Sequence, residues 1–208
     1  MNILVVAHYQ NDGSPTAIFI HDQVKAYAAL GHRVRVIVPI ALGKRGFLTG
    51  GRFRSYRERI DGTEHFFVRH LSLSKYGAGG FNTRRAIGAV ARQYDRLFND
   101  FTPDIIHAHT LGFDSEIGAW LKARLHVPLV VTTHGSDTSI PYEQGRFDWL
   151  AEKADLADHM VAVSSALAKK LADSGTRTPI SVILNGFCVQ ALPAAEERKP
   201  CSVIQVGH

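Results

Sequence analysis

Short apolar runs alternate along this chain with amphipathic stretches, and several runs end abruptly in small polar residues. Val130-Val131-Thr132-Thr133 passes straight into His134-Gly135-Ser136-Asp137, the pattern of a strand buried on both faces whose carboxyl end meets a crevice. Asn2 to Ala7 is a second such run, closed by the turn formers His8 to Thr16. A helix follows with Ile20, Val24, Tyr27 and Ala28 on one face, and Gly31 is its left-handed stop. Arg33 to Val38 predicts the next strand, ending at Pro39, and Glu64 to His70 another. Ile87, Val90, Ala91, Tyr94, Leu97 and Phe98 describe the inner face of one amphipathic helix that Thr102-Pro103 breaks.

The same alternation continues to Leu184. Strands are expected at Asp104 to Ala108, at His159 to Val163 and at Ile180 to Leu184. Helices are expected from Asp114 to Leu125, up to about Asp155 after a loop at Thr138 to Gly145, and from a Ser164 or Ser165 cap to Ala172 or Asp173. Such an order predicts an α/β fold, a doubly wound, mostly parallel, Rossmann-like sheet with helices on both faces. Residues 1–186 make up this domain. Residues 187–200, rich in Ala, Pro, Glu, Arg and Lys, have the composition of a linker, and residues 201–208 start a new apolar strand. The expectation is a chain cut at the threshold of a second domain.

At 208 residues, 45% hydrophobic and 21% charged, the composition is that of a globular protein with a sizeable core. The N-terminal apolar run is too short for a signal peptide and lacks its basic flank. No stretch reaches the roughly 20 apolar residues of a membrane span. Only two cysteines occur, Cys188 and Cys201, with no metal-binding spacing, so a reducing, cytoplasmic setting is expected. The net charge of +5 favours an anionic partner. Much of the excess gathers in the segment Lys44 to Arg59, where Arg45, Arg52, Arg54 and Arg57 interleave with Phe47, Leu48, Phe53 and Tyr56. That segment is read as a loop, either solvated or in peripheral contact with an anionic membrane. No nucleic-acid module surrounds it, and no nucleic-acid partner is expected.

Chemistry is expected where the strands end. Three stretches converge there: the loop Asp12 to Thr16, the strand end His107-Ala108-His109-Thr110, and His134 to Asp137. Neither GxGxxG nor GxxxxGK[ST] is present, and Pro39 stands where a nicotinamide-binding domain would carry its ribose-binding acid, which removes the dehydrogenase reading.

Four segments in order carry a family resemblance. They are the opening strand with its Gly13-containing loop and the helix end Leu30-Gly31-His32, Pro103-Asp104-Ile105-Ile106-His107-Ala108-His109, Thr133-His134-Gly135-Ser136-Asp137, and Val182-Ile183-Leu184-Asn185-Gly186. Together they make the chain similar to the N-terminal domain of a retaining GT-B glycosyltransferase of family 4. The resemblance implies transfer of a sugar from a nucleotide-sugar donor to a glycan or lipid-linked acceptor. The nucleotide sugar is then a co-substrate, and no cofactor or metal is implied. It assigns His134 to the donor sugar and Asp137 to the catalytic region, with Gly13, Ser14, His109, Gly135 and Ser136 contacting substrate. Many relatives have glycine where this chain has Ser14-Pro15. The donor-binding half is not in the sequence, so the fragment alone is expected to be inactive. His107, inside its strand, is read as a satisfied core histidine. Two other readings of the same residues stay open: a metal-dependent hydrolase using His107, His109, His134 and Asp137, and a non-catalytic domain that binds a phosphorylated glycan.

Overall fold

The computed structural model describes residues 1–8, 18–42, 54–72 and 79–186. The expected linker at 187–200, the expected strand at 201–208, and Gly13 and Ser14 lie outside the described residues. Eight strands form one sheet: β1 (Asn2–Val6), β2 (Arg33–Leu42), β3 (Tyr56–Ile60), β4 (Thr63–Leu71), β5 (Ile105–His109), β6 (Leu129–Thr133), β7 (His159–Ala162) and β8 (Ile180–Val182). Their spatial order is β3-β4-β2-β1-β5-β6-β7-β8. Every pairing is parallel except β3 with β4. The helices are α1 (Ile18–Ala29), α2 (Gly79–Ala91), α3 (Tyr94–Phe98), α4 (Phe113–Leu125), α5 (Ser136–Glu143), α6 (Phe147–Ala154) and α7 (Ser165–Asp173).

Both faces of the sheet are apolar because successive side chains of each strand point to opposite sides. Ile3, Val5, Val36, Val38 and Phe67 pack with Ile20 and Val24 of α1. Leu4, Val6, Ile37, Ile106, Ala108, Val131 and Met160 form the other layer with Val90, Leu97, Ile117, Leu121, Leu150 and Leu171 from the remaining helices. The doubly wound expectation holds. On the α1 face a cavity of about 830 Å³ opens between α1 and the later strands, lined by Ile3, Tyr27, His107, Val130, Val161 and Ile183 among others.

One charge sits inside this core. Arg35 on β2 is 1% exposed, with its guanidinium between the rings of Phe66 and Phe101. It is neutralised by Glu64 and by Asp100 at 3.0 Å, and it donates to the Leu97 carbonyl at 2.6 Å. A buried cation is tolerated only with such partners, and here they tie β2, β4 and the end of α3 together.

Four local expectations differ from the structure. Part of the basic segment read as a loop is strand: Tyr56–Ile60 pairs antiparallel with β4 through the turn Asp61-Gly62, both at positive φ (47° and 79°). Asp-Gly is the sequence that a two-residue hairpin turn demands, and Arg57 and Arg59 are held near Glu64, at 3.4 and 3.7 Å. The remainder of Lys44–Arg59, through Phe53, lies outside the described residues. Strand β2 runs through Pro39 to Leu42; its register with β1 ends at Ile37, so the proline sits where only β4 borders the strand. The single helix expected before Thr102 is two, separated where Gln93 N–H bonds Val90 O at 2.9 Å in a tightened turn. The loop expected at Thr138 to Gly145 is largely α5, which holds Pro141 within it. The proline removes one backbone donor from this short helix, whose first turn is closed by Thr138 and Ser139 N–H donating to Gly135 O at 3.0 and 2.7 Å.

Helix α4 crosses β5 and β6 closely at Gly118, where an added Cβ would stand 2.8 Å from Leu129 Cδ1 and 3.3 Å from Ala108 Cβ. Gly118→Ala should therefore overpack this layer and lower unfolding stability by about 1–3 kcal/mol, despite alanine's better helix propensity. Urea denaturation of the variant against the parent measures it.

Candidate functional site

Strand order reverses between β1 and β5: connections from β1 lead to β2 on one side, those from β5 lead to β6 on the other. The carboxyl ends of these strands diverge into a crevice at that point, the ligand position of open α/β sheets. β5 ends on His109, His134 directly follows β6, and His8 stands two residues beyond the end of β1.

Two sharp turns shape the crevice. After β5, Thr110 and Gly112 both take positive φ, 79° and 98°, before α4 starts; for threonine this is a strained backbone conformation. After β6, Gly135 takes φ 143° before α5. The carboxylate of Asp137 joins them. Its Oδ1 accepts from Thr133 Oγ1 at 2.9 Å, Gly135 N–H at 2.9 Å and His134 N–H at 3.2 Å. Its Oδ2 accepts from Leu111 N–H at 2.8 Å, in the other turn. The first-turn acid of α5 thus ties down the turn that leads into its own helix and clamps the neighbouring turn.

His134 is held by this clamp. Its Nε2 lies 2.9 Å from Nδ1 of the fully buried His109, with the rings stacked at 15°. Phe19 of α1 covers the ring at a centroid distance of 4.3 Å. Both remaining nitrogens, His109 Nε2 and His134 Nδ1, are buried without a partner among the described residues. Gly135 is half-buried and Ser136 exposed at the start of α5. The structure thus brings His109, His134, Gly135, Ser136 and Asp137 together, while Gly13 and Ser14 lie outside the described residues.

His107 is otherwise occupied. Its Nδ1 lies 3.0 Å from Tyr27 Oη and its Nε2 2.7 Å from Thr132 Oγ1, a hydrogen-bonded core histidine. With both its nitrogens engaged and the Asp137 oxygens taken by four donors, the set named for a hydrolase has little left to offer a metal. Among the described residues no three His, Cys, Asp or Glu side chains gather in a metal-holding arrangement.

Sequence reasoning placed Thr110 at the crevice without a role and missed His8 and Asp114. Asp114, fully buried in the first turn of α4, accepts from Thr110 Oγ1 at 2.9 Å and meets His8 Nδ1 at 2.6 Å. A signal was there to be read: His8 follows an apolar strand directly, as His109 and His134 close theirs.

Burial sets the charge of this cluster. It pushes His107 down to about 4, helped by the nearby His134, and pushes His109 well below the usual histidine range. His134 is lowered by burial as well, against the opposing pull of Asp137 and Asp114. His8 goes the other way, raised to about 9 by the charge of Asp114 against the cost of burial. Neutral His107 and His109 stabilise the fold fully above pH 6.5; as pH falls toward 4, the unfolded chain binds protons that the folded chain refuses. For His107 the gap between 6.5 and about 4 corresponds to about 3 kcal/mol lost over that window. Urea midpoints should fall steeply between pH 6.5 and pH 4, and His107→Leu should flatten part of that fall.

The family profile described as Glycosyltransferase Family 4 matches residues 16–190, most of the chain. A Bacillus subtilis (strain 168) protein, named as the teichuronic acid biosynthesis glycosyltransferase TuaC in an assignment that its own name marks as provisional, is 32% identical over 110 residues, 50% of this chain. The match spans 28% of that protein's length. Among solved structures, sucrose-phosphate synthase from Thermosynechococcus elongatus superposes with a TM-score of 0.65 at 11% identity, over 88% of this chain and 47% of that one. Anabaena HepE in complex with UDP-glucose gives 0.54 at 19% identity, over 90% of this chain and 44% of that one. These likenesses establish a shared fold, the N-terminal half of a GT-B architecture. With the profile match across the crevice and the sheet, the chain belongs to Glycosyltransferase Family 4.

Proposed function

We propose that this domain forms the acceptor-side wall of a retaining transferase that moves a sugar from a nucleotide-sugar donor to a hydroxyl of a glycan or lipid-linked acceptor. The observation that supports it most is His134 at the switch point, fixed by the Asp137 clamp, by His109 and by Phe19. In this reading His134 touches the donor sugar and orients one of its hydroxyls. Asp137, its oxygens already engaged by four donors, acts as a positioning residue rather than as a base. His109 sets the tautomer and ring plane of His134, since one proton is shared between Nδ1 and Nε2 across 2.9 Å. Gly135 and Ser136 line the sugar pocket, and Gly13 with Ser14 approaches the diphosphate and the acceptor. The nucleotide sugar is a co-substrate, and this reading includes no further cofactor.

Positive groups that grip the departing diphosphate belong, in this proposal, to a second domain beyond the described residues, so the 208-residue chain alone does not turn over. The pathway is synthesis of a cell-surface polysaccharide at the cytoplasmic face of the membrane. Among the described residues no helix is long and apolar enough to cross a membrane. The basic segment Lys44–Arg59 supplies the peripheral contact with anionic lipid.

Two experiments test the proposal. In a protein carrying this domain together with a nucleotide-binding half, His134→Ala should lower transfer from the nucleotide sugar by about 100-fold or more, as loss of a group preorganised for the transition state does. The thermal midpoint should shift only modestly, and near-normal turnover would remove His134 from the chemistry. Replacing Arg52, Arg54 and Arg57 together by serine should weaken co-sedimentation with phosphatidylglycerol vesicles at low salt; unchanged sedimentation would assign the segment to solvent.

A further inference from the structure

His8 stands two residues beyond the end of β1 and differs from the other two strand-end histidines in having a carboxylate of its own. Its backbone N–H and its ring Nδ1 both meet Asp114 Oδ2, at 3.3 and 2.6 Å. Thr110, held in the left-handed region by the turn after β5, donates its hydroxyl to the same oxygen. Asp114 is 0% exposed while the His8 side chain is 50% exposed. The arrangement therefore has a buried, anchored end and a solvent-facing end. Asp114 Oδ1 is buried and unpartnered among the described residues, so the negative charge beneath the ring has few other partners. Removing a carboxylate from water this completely is tolerated when a cation compensates it, and the imidazolium of His8 is that cation.

The neighbours of His8 agree with this. From α4 come Asp114 and the edge of Phe113, at a centroid distance of 5.8 Å. From the start of α5 comes the more distant negative charge of Asp137. His70 of β4 packs on Phe113, at a centroid distance of 5.6 Å. With Asp114 beside it the ring stays protonated through neutral pH, its value raised to about 9. Such a ring cannot take a proton from an acceptor hydroxyl at pH 7. It can present Nε2–H, its one donor without a partner among the described residues, in a direction fixed by the bond to Asp114.

We propose that His8, positioned by Asp114, is an oxyanion-binding residue of the crevice that takes a carboxylate or phosphate oxygen of the acceptor through its Nε2–H. The word acceptor rests on the transferase reading; the binding chemistry does not. At neutral pH this residue separates charged from neutral acceptors, a selection that His109 and His134, both held uncharged by burial, cannot make.

Histidine-resolved NMR of the 208-residue chain tests the proposal by binding alone, so its outcome is independent of any transfer assay on His134. At pH 7.5 the His8 ring signals should shift saturably with inorganic phosphate, with D-glucuronate, or with both, and not with D-glucose. A response to phosphate alone identifies a phosphorylated acceptor, and one to glucuronate alone a uronate; either supports the site. In His8→Gln, followed through the backbone amide signals of Thr110 and Asp114, the oxyanion affinity should fall about ten-fold, the scale of losing a charge-assisted hydrogen bond. Asp114→Asn should abolish the response at pH 7.5 and restore it at pH 5.5, where an unassisted histidine is protonated; loss at both values would deny Asp114 its positioning role. No shift with either anion, an equal shift with glucose, or undiminished binding in His8→Gln overturns the proposal.

Discussion

Everything at the mouth of this sheet depends on one carboxylate bridging two turns. Parallel strands deliver His109 and His134 to neighbouring positions, but the loops that follow leave the sheet independently, and each begins in an unfavourable backbone conformation. Asp137 resolves both. By accepting from Leu111 in one turn and from Thr133, His134 and Gly135 in the other, it converts two separate helix starts into one rigid rim. Charge-assisted hydrogen bonds to backbone donors are stronger than neutral ones. The strain of Thr110 can therefore be held without help from a ligand, while Gly135 takes its positive φ freely.

The second constraint is polarity placed inside an apolar sheet. Four histidines, His107, His109, His134 and His8, occupy adjoining positions at the ends of β1, β5 and β6, yet the structure gives them different charges. Depth decides three of them: with no carboxylate in contact, burial keeps the rings neutral and able to accept as well as donate. Asp114 decides the fourth. A crevice with a neutral pair on one side and a carboxylate-paired ring on the other is chemically asymmetric.

Much of this was legible along the chain. Apolar runs ending in His134-Gly135-Ser136-Asp137 and in His107-Ala108-His109 marked both the strands and the side of the sheet where ligands bind, because buried parallel strands have no polar alternation to confuse the pattern. The family resemblance was legible in the same segments and agrees with the profile match. The hairpin at Asp61-Gly62 was hidden by the arginines around it: β3 is an edge strand, where charged side chains are expected, and it reads as loop when only hydrophobicity is followed. Helix α5 was hidden by Pro141, a local breaker overruled by the first turn that Thr138 and Ser139 close on the Gly135 carbonyl.

The sequence by itself determined the sheet, its winding and which strand ends face the crevice, since these follow from periodicity and from the chirality of parallel connections. It did not determine the roles of individual polar residues. His8 and Asp114 are separated by 106 positions, and no local pattern announces that they meet. Asp137 looks like a candidate for chemistry until its four donors are seen. His107 reads as a core histidine from its place inside the strand, but which groups satisfy it, and that His109 keeps a bare nitrogen among the described residues, appear only in the packing. Charge state and hydrogen-bond capacity are properties of surroundings, and only the packing of distant segments supplies the surroundings.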